Sequence, residues 1–540
     1  MAQTNNPYID SILFDGDKWG HTTITYYFDN SHDRWTAEAR DAFTWALNAW
    51  ANVSGLNFQR VYNESSADLV ESYVTNAEMA AVMGEGVFGF HDIPTNGHFN
   101  GQLAGWFNWE SFGWPGPSGY SSGSLQPGGQ AVATFMHELG HGLGLAHPHD
   151  GSVIMPGVSD AFDLGTWDLN QEVYTVMTYN SGWNVQDPWG HTVNDRGYAS
   201  GPGAFDIAAI QHLYGANMNH NNGDTVYTIT NVMGWSSIWD TGGTDRIQYA
   251  GSGNVVIDLR AATLDGGKHS GGYLSYVKGD GKYGGFTVAA DFTDALANRG
   301  GETGVIIENA TGGSGNDTLF GNSVANVLRG NAGADSIAGH AGNDKLLGNQ
   351  GSDKLWGGKG MDELRGGYGA DKLWGNDGRD KVFGGNGWDT VFGGKGNDTI
   401  YGGNGNDTLH GNQHADRLYG GMHRDYLFGG LGNDQLYGQR GNDRLDGGQG
   451  NDVLHGGYGA DQFVFRKGHD SDRVADFRND TDTLVFDDAL WNGNLTAAQV
   501  VANFATDTGN DVVFDFGGGD VLTVRGVANV DMLINDIQII

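Results

Sequence analysis

The sequence of 540 residues contains no cysteine and only nine prolines. The absence of cysteine excludes disulfides, thiolate metal ligands and cysteine nucleophiles together. Basic residues are also scarce, with 29 Lys and Arg against 65 Asp and Glu and a formal net charge of −36. A nucleic-acid partner is therefore not expected, because phosphate binding needs clustered basic side chains. Cations are better candidates.

Long apolar runs are missing too. No window approaches the roughly 18 apolar residues of a membrane-spanning helix, so we expect no membrane span. Charged and polar residues occur throughout residues 1–20, which have neither a basic start nor an apolar run and so are not typical of a Sec-type signal peptide. Any export is expected to use another route.

Glycine is abundant, with 92 residues concentrated in the second half of the chain. A chain of 540 residues is too long for one ordinary core, so two or more domains are expected. The 16 tryptophans and the hydrophobic fraction of 38% argue against disorder. The glycine-rich half should therefore be structured.

Both helical and strand patterns occur in the first 215 residues, which predicts an α+β domain there. The region from Gly84 to Pro127 is predicted as an irregular loop with short strand pieces. The predicted helices are Trp35–Trp50, Gln130–Leu145 and Ala204–Leu213, and the predicted strands are Ile24–Phe28 and Asp68–Val74.

Three histidines on and after the second predicted helix have metal-ligand spacing. His137 and His141 are four residues apart, so they share one helix face, and His147 follows six residues later. Gly144 can end the helix in a left-handed conformation and turn His147 toward the other two. Three protein ligands leave one position for water, as in a catalytic zinc site, and Glu138 is placed to act as general base.

Buried histidines that match H-E-x-x-H by chance are the alternative interpretation. The third histidine and the intervening glycine make it less favoured. Downstream, Met177 and Tyr179 lie in the segment Thr175-Val176-Met177-Thr178-Tyr179, which is similar to the Met-turn of metzincins.

Segments His137–Pro148, Met177–Tyr179 and Gly203–Asn217 together resemble serralysins, which are bacterial metzincin proteases. The resemblance implies one catalytic zinc ion, with Glu138 as catalytic base and proton shuttle. It also implies that Tyr179 can ligate zinc and assist catalysis, and that Met177 is the structural methionine of the turn. A packed tyrosine without a catalytic role is the alternative for Tyr179. The implied zinc ligands are His137, His141, His147 and, as a further possible ligand, Tyr179.

Internal repetition dominates the second half. An aspartate recurs every nine residues from Asp317 to Asp461, with Asn326 as the one exception. An apolar residue follows two positions after each of them, which gives the unit G-G-x-G-x-D-x-U-x, where U is apolar. The glycine two places before the aspartate is replaced at Val324, His414 and His423.

These units resemble RTX repeats, which implies a parallel β-roll that holds several structural calcium ions between its turns. A glycine-rich solenoid whose aspartates only form turns is the alternative interpretation. The implied calcium ligands in the repeats are Asp317, Asp335, Asp344, Asp353, Asp362, Asp371, Asp380, Asp389, Asp398, Asp407, Asp416, Asp425, Asp434, Asp443, Asp452 and Asp461.

A further calcium site is implied before the repeats, where Asp240, Gly242 and Asp245 resemble the start of the serralysin β-roll. Residues 312–461 contain 19 acidic and 13 basic side chains, so most of the net negative charge lies outside the repeats. That charge fits either a solubility feature or a salty habitat.

The expected architecture is an α+β metzincin catalytic domain followed by an all-β parallel β-roll, the RTX solenoid, with a β-rich C-terminal cap. Alternating strands around Val512–Phe516 and Val521–Val524 predict the cap. The expected domains are 1–215, catalytic, with a short leader within 1–18 as an option; 216–311, the lead-in to the β-roll; 312–465, the repeats; and 466–540, the cap with a type I secretion signal.

The sequence thus predicts a secreted, extracellular and monomeric zinc endopeptidase that cleaves proteins and is exported by a type I secretion apparatus. A calcium-dependent surface or adhesion protein with a vestigial protease domain is the alternative from another class. The intact His137, Glu138, His141, His147 and Tyr179 disfavour it. A matrix-type or astacin-type protease would not explain the repeats.

Overall fold

The computed structural model describes two compact units. The first holds Met1–Tyr249 and Val255–Ile307, and the second holds Ala250–Asn254 and Glu308–Ile540. The description covers the whole chain apart from residues 1–3, 5, 16, 32–33, 86, 95–97, 100, 111–124, 127–128, 150–152, 161–162, 167–168, 172–173, 179–182, 187–191, 196–197, 231–233, 265–271, 279–284, 291–304 and 492.

Helices are few and lie mostly in the first unit. None of them, within the part of the chain that the structure describes, is long and apolar enough to cross a membrane. The α-helices are α1 (Pro7–Asp10), α2 (Ala37–Val53), α3 (Asn76–Val82), α4 (Gln130–Gly142), α5 (Ala204–Tyr214) and α6 (Ala497–Phe504), and short 3₁₀ turns span Glu64–Ser66, Asp488–Leu490 and Val530–Asp536.

Strands of the first unit are short. They are β1 (Lys18–Trp19), β2 (Thr23–Phe28), β3 (Asn57–Arg60), β4 (Leu69–Val74), β5 (Gly89–His91), β6 (His98–Phe99), β7 (Leu103–Asn108), β8 (Trp183–Gln186), β9 (Thr192–Asp195), β10 (Val226–Thr228), β11 (Trp235–Ile238), β12 (Arg246–Gln248), β13 (Val255–Asp258), β14 (Ser275–Val277) and β15 (Gly285–Val288).

A five-stranded sheet in the order β3-β2-β4-β7-β5 organises the first unit. Its strands are parallel except for β5, which runs antiparallel to β7 at the edge of the sheet. Helices α2 and α4 pack on each other, and α4 also packs against β5 and β7. The antiparallel edge strand is therefore a direct neighbour of the helix that carries the first two histidines.

Aromatic side chains fill the core between this sheet and its helices. Phe43 of α2 is fully buried, and its ring centroid lies 5.5 Å from Phe28, 5.6 Å from Trp35, 5.6 Å from Phe107 and 5.4 Å from that of Phe135. Tilted and edge-on ring pairs of this kind add to the stability gained from burial. The first unit thus has a core built without any metal ligand.

The predicted elements of the first unit occur with small shifts of their ends. The helix predicted over Trp35–Trp50 is α2, which begins after the Thr36 N-cap, whose side chain accepts from the Ala39 N–H. The helix predicted to reach Leu145 ends at Gly142, because the chain turns there. The region predicted as a loop with strand pieces contains β5, β6 and β7.

Strands of the second unit follow one another at nearly constant spacing. They are β16 (Asn309–Thr311), β17 (Thr318–Phe320), β18 (Val327–Ala332), β19 (Ser336–Ala341), β20 (Lys345–Gln350), β21 (Lys354–Lys359), β22 (Glu363–Tyr368), β23 (Lys372–Asp377), β24 (Lys381–Asn386), β25 (Thr390–Lys395), β26 (Thr399–Asn404), β27 (Thr408–Gln413), β28 (Arg417–Met422), β29 (Tyr426–Leu431), β30 (Gln435–Arg440), β31 (Arg444–Gln449), β32 (Val453–Tyr458), β33 (Gln462–Phe465), β34 (Ser471–Val474), β35 (Thr483–Phe486), β36 (Ala505–Asp507), β37 (Asp511–Gly517), β38 (Asp520–Arg525) and β39 (Ile537–Ile539).

Consecutive strands of the repeats alternate between two parallel sheets. Leu346 of β20 pairs with Leu364 of β22, and Leu355 of β21 pairs with Leu373 of β23, so the register advances by 18 residues per coil. Two nine-residue units therefore make one coil. The U residues point inward, and all of them from Leu319 to Phe463 are at most 1% exposed. The predicted fold class of an α+β domain followed by a parallel β-roll is confirmed.

A β-rich cap follows the last repeats, as predicted. Strands β36, β37 and β38 form an antiparallel meander, and β38 pairs parallel with β34 of the roll. Strand β39 pairs parallel with β35. The backbone edges of the last coil are thus covered, which removes an exposed template for association with other strands.

Candidate metal centres

Three histidine side chains converge in the first unit. The Nε2 atom of His147 lies 3.0 Å from that of His137 and 3.1 Å from that of His141. They are the one cluster among the described residues in which three or more candidate ligand atoms lie within 4.8 Å of one another. A tetrahedral zinc ion with Zn–N bonds of about 2.0–2.1 Å holds its nitrogens roughly 3.3 Å apart, so this spacing fits zinc.

Hydrogen bonds at the far side of two rings fix their protonation. The Nδ1–H of His137 donates to the Val176 carbonyl over 2.7 Å, and that of His141 donates to the Leu145 carbonyl over 2.8 Å, because a carbonyl can only accept. In the neutral form of each ring, Nε2 then carries the lone pair that faces His147. Such an arrangement is repulsive by itself and favourable around a cation.

Burial also favours the neutral form of His141. His141 is only 6% exposed, and burial, followed by the neighbouring His137 and His147, holds its pKa well below the usual value. A histidine that stays neutral at physiological pH can ligate a metal without first losing a proton. The donor set thus fits zinc chemically as well as geometrically.

The turn that brings His147 back depends on Gly144. This residue has a φ of +100°, and a Cβ atom there would lie 2.3 Å from the Asp17 carbonyl oxygen. The Leu145 N–H donates to the Gly140 carbonyl over 2.9 Å and closes the turn. Only glycine meets both demands, so the left-handed conformation predicted for Gly144 is confirmed.

Glu138 follows the first histidine on α4 and is 8% exposed. Its side chain lies against the edge strand: a Cβ atom at Gly89 would be 2.7 Å from the Glu138 Cγ and 3.1 Å from its Oε1. Burial raises the pKa of Glu138 to about 8, while the charge of His91 acts to lower it. The carboxyl group therefore sits where proton binding and release are both accessible near neutral pH.

Met177 lies beneath the histidine helix and is fully buried. A Cβ atom at Gly140 would come 2.5 Å from its sulfur, so the glycine between the two histidines of α4 lets this turn approach closely. Tyr179 lies outside the described residues, and its proposed role as ligand and catalytic residue stays a prediction.

A buried ion pair behind the site was not predicted. His91 and Glu71 have fully buried side chains, with His91 Nε2 3.2 Å from Glu71 Oε1, and His91 Nδ1–H donates to the Asp92 carbonyl over 2.9 Å. Burial lowers the pKa of His91, but the Glu71 carboxylate, the hydrogen bond to the Asp92 carbonyl and the charge of Glu138 together outweigh this, and the net pKa is raised. A Cβ atom at Gly142 would touch the His91 ring. No spacing rule links these residues, so the sequence carries no signal for them.

The aspartates of the repeats form two regular rows in the second unit. In each coil the Oδ1 atom accepts from the backbone N–H of the aspartate one coil earlier, as from Asp398 to Asp416 over 2.7 Å and from Asp407 to Asp425 over 2.9 Å. The second carboxylate oxygen of these aspartates makes no such bond. From Asp335 to Asp452, a stretch that the structure describes in full, the Oδ2 atom of every repeat aspartate is buried and lacks a hydrogen-bond partner.

Buried carboxylate oxygens of this kind are costly unless a cation binds them. Burial raises the pKa of Asp335, Asp344 and Asp380 to about 7, and that of Asp416 and Asp425 to about 8. The glycine at the start of each unit leaves a space beside the carboxylate.

That space has the donors that calcium prefers. A Cβ atom at Gly402 would lie 2.5 Å from Asp407 Oδ2 and 2.5 Å from the Gly420 carbonyl oxygen. Both are oxygen ligands, which suit calcium. His414 and His423 replace glycine in the turns and adopt positive φ angles of 76° and 83°, and the regular row continues through both positions.

The rows extend beyond the repeats identified in the sequence. Asp472 Oδ1 accepts from the Asp452 N–H over 2.9 Å, and Asp482 Oδ1 accepts from the Asp461 N–H over 3.1 Å. Their offsets are 20 and 21 residues instead of 18, so a strict nine-residue period misses them. A search that allowed insertions would have found them.

Ahead of the repeats, the predicted calcium ligands Asp240, Gly242 and Asp245 lie in one loop of the first unit. Asp240 Oδ2 accepts from the Tyr227 hydroxyl over 2.5 Å, and its Oδ1 accepts from the Gly242 N–H over 3.0 Å. Asp245 is fully buried and accepts from the Thr225 N–H over 2.7 Å. Calcium binding at this loop stays a prediction.

Comparison with known proteins agrees with both centres. Residues 18–173 match the family model described as Matrixin. The RTX calcium-binding nonapeptide repeat matches at residues 311–346, 320–355, 356–387, 383–413, 401–436 and 437–472. The chain therefore combines a matrixin-type region with RTX calcium-binding repeats.

Curated relatives include a serralysin of Photorhabdus luminescens, 32% identical over 306 residues, which is 52% of each chain. Serralysin G of Dickeya chrysanthemi is 31% identical over 51% of this chain and 52% of its own. Metallopeptidase AprA of Pseudomonas marginalis is 34% identical over 36% of this chain and 38% of its own. The aligned part spans about half the length of the first two. The predicted resemblance to serralysins is confirmed.

Proposed function

We propose that this chain is a secreted zinc endopeptidase that hydrolyses peptide bonds of extracellular proteins, with Glu138 as general base. The observation that carries the proposal is the convergence of the Nε2 atoms of His137, His141 and His147 near a buried carboxyl group. The serralysin relatives support the same reaction class. Tyr179 is proposed to assist the reaction, as its place after Met177 suggests.

When bound by His137, His141 and His147, zinc would lower the pKa of a water molecule toward about 7 and polarise the substrate carbonyl. Glu138 then accepts the proton from water on its carboxylate and returns it to the departing amide nitrogen. The near-neutral pKa of Glu138 suits both steps, since the same group must take up and release a proton.

Strand β5 is proposed to hold the substrate. It lies at the edge of the five-stranded sheet, and Gly89 on this strand touches Glu138. An extended peptide added to an exposed edge gains main-chain hydrogen bonds that do not depend on its side chains. This would align the scissile bond beside the carboxyl group while permitting many sequences.

The second unit is proposed to fold when calcium binds its aspartate rows and to stay unfolded during export by a type I apparatus. Each site that binds only the folded roll contributes RT ln(1 + [L]/Kd), and many sites together give a steep response. Low calcium inside the cell and high calcium outside would therefore separate export from folding. The folded protein is proposed to act as a monomer.

The exchange Glu138→Gln tests the proposed mechanism. It removes the proton acceptor and keeps the size of the side chain, so the variant should bind one zinc per chain and lose hydrolysis of a denatured protein substrate. The exchange Glu38→Gln, at an exposed position on α2, is the matched control and should stay fully active. Near-wild-type turnover by zinc-loaded Glu138→Gln would overturn the mechanism, and a wild-type protein inactive with zinc and calcium bound would favour a vestigial domain.

A further inference from the structure

A fully buried aspartate, Asp206, lies in the first turn of α5 and accepts three hydrogen bonds. Its Oδ1 accepts from the Thr175 hydroxyl over 2.6 Å. Its Oδ2 accepts from the Val176 N–H over 2.7 Å and the Gly203 N–H over 2.8 Å. The proposed reaction does not use this residue, yet two of its three donors belong to the segment that precedes Met177.

The hydrogen bonds form a continuous chain from Asp206 to a zinc ligand. The Val176 carbonyl accepts from His137 Nδ1–H over 2.7 Å, and the N–H of the same peptide unit, on Met177, donates to Thr175 Oγ1 over 3.2 Å. Thr175 then donates its hydroxyl proton to Asp206.

All the hydrogen bonds between His137 and Asp206 run in one direction, because each donor points toward Asp206. A carbonyl can only accept and an amide N–H can only donate, so the Thr175 hydroxyl, which accepts from Met177, has its own proton left for the carboxylate. Hydrogen bonds aligned in one direction polarise one another. The negative charge on Asp206 therefore strengthens the acceptor that faces His137.

His141 provides a comparison on the same helix. Its Nδ1–H also donates to a carbonyl, that of Leu145, but the N–H of that peptide unit, on Ala146, donates to the Ile12 carbonyl over 3.1 Å. That chain ends on a neutral peptide group. Two ligands one helical turn apart are thus supported differently, and the chain from His137 ends at a carboxylate.

Burial raises the pKa of Asp206 to about 7, and the hydrogen bonds from Thr175, Val176 and Gly203 act to lower it. The local geometry adds to this stabilisation of the ionised form. Helix α5 has 11 residues, and Asp206 sits in its first turn, where the helix dipole stabilises negative charge. A Cβ atom at Gly203 would lie 2.1 Å from the Tyr174 carbonyl oxygen, so only glycine allows the helix start to approach this segment. The three hydrogen-bond donors then take the place of the water molecules that would solvate an exposed carboxylate.

We propose that Asp206 is a positioning residue for zinc: through Thr175 and the peptide unit between Val176 and Met177, it orients the His137 ring and makes its Nε2 a stronger ligand. Carboxylates that support a zinc-bound histidine directly act in this manner, and here one peptide unit and one hydroxyl intervene. The inference rests on the proposed zinc function.

The exchange Thr175→Val tests it in the full-length protein with calcium present. Valine keeps the volume but breaks the chain, and loss of such support typically weakens zinc binding about 10-fold to 100-fold. We expect a loss of this size in competition with a chromogenic zinc chelator, together with a changed visible spectrum of the Co²⁺-loaded protein. Thr175→Ser keeps the hydroxyl and should restore both. Asp206→Asn should resemble Thr175→Val.

Thr287→Val is the matched control, because Thr287 is fully buried in β15 and its hydroxyl bonds the Ser237 hydroxyl, without a link to the histidines. It should keep wild-type zinc affinity. Wild-type affinity and an unchanged spectrum in Thr175→Val would overturn the inference, as would an equal loss in Thr287→Val. A wild-type protein that binds no zinc, or whose zinc binding survives His137→Ala, would instead refute the proposed function.

Discussion

The two units of this chain arrange their proposed metal ligands in opposite ways. In the first unit, His137, His141 and His147 form one site on one helix and the turn that follows it, and each supporting residue occurs once. In the second unit, an aspartate recurs at the same position of each coil, and its carboxylate accepts a hydrogen bond from the backbone N–H of the aspartate 18 residues earlier. In the proposed function, the first arrangement serves catalysis at a single site, whereas the second repeats one structural role along the roll.

The hydrophobic cores of the two units also differ in how they relate to the proposed metal ligands. The first unit packs large aromatic rings around Phe43 without involving any metal ligand. The roll has one inward apolar residue per nine-residue unit, and directly beside this row lie buried carboxylate oxygens without a hydrogen-bond partner in Asp335–Asp452. Removal of the metal should therefore leave the first core intact and unfold the roll.

The largest expected effect concerns the calcium-free roll and pH. Burial raises the pKa of several of its aspartates to about 6–8, as for Asp353 at about 6 and Asp416 at about 8, against about 3.9 in an unfolded chain. The folded roll then binds more protons than the unfolded chain between these values, so its stability falls as pH rises from about 4 to 8.

In a calcium chelator, circular dichroism should therefore show more β-structure at pH 5 than at pH 8, and calcium should add less signal at the lower pH. The same protein in millimolar calcium is the control and should be folded at both. Equal β-content at pH 5 and pH 8 without calcium would contradict the assignment of the aspartates as buried and unpaired.

The next effect separates the two cores. Phe43→Ala should cost the first unit about 3–5 kcal/mol, since it removes a ring that packs against five others. The urea concentration that abolishes hydrolysis should fall. Leu409→Ala in the roll, also fully buried, should instead raise the calcium concentration needed for half-folding. A Phe43→Ala protein with an unchanged urea midpoint would show that the aromatic cluster is not the core of the first unit.

Tyr179→Phe sharpens the account of the catalytic unit. If the hydroxyl donates to the oxyanion that develops during peptide hydrolysis, its loss should lower kcat about 10²-fold to 10³-fold, with a smaller change in KM. Zinc content measured in parallel separates this effect from metal loss. An unchanged kcat would make Tyr179 a packing residue.

The smallest effect reverses sign with calcium. Asp416→Asn removes one buried charge, so without calcium the roll should gain about 1–3 kcal/mol, and with calcium it should bind the ion more weakly. The chain already contains one such position, Asn326, whose amide donates to the Glu308 carbonyl over 2.9 Å. Asp377→Asn, on the surface beside Lys395, is the control. Destabilisation of equal size under both conditions would refute a calcium role at Asp416.

Periodicity explains what the sequence could predict. The nine-residue pattern of aspartates and apolar residues is visible by counting, and its resemblance to RTX repeats implied the parallel β-roll. His137, His141 and Gly144 were predictable for a similar reason, since they lie within one helix and its terminal turn. The continuation at Asp472 and Asp482 was missed because insertions change the period there.

Contacts between distant segments were beyond the sequence. The pairing of His91 with Glu71 requires two strands of one sheet to be placed first, and the contact of Asp206 with Thr175 requires a helix start to meet a turn 31 residues earlier. None of these four residues is of an unusual type for its position in the sequence. Long-range geometry has no local period, so the positioning residues around a site stay hidden until the fold is known.

The central claim is that zinc serves catalysis and calcium serves folding of the roll. Hydrogen exchange of the full-length protein, measured together with hydrolysis of a denatured protein, tests this claim most directly. With zinc removed by 1,10-phenanthroline and calcium kept, hydrolysis should stop while the amides of residues 318–465 stay protected. With calcium removed by EGTA, those same amides should exchange rapidly. Hydrolysis that persists in protein shown to be free of zinc, or protection in the repeats that is unchanged by EGTA, would contradict the account.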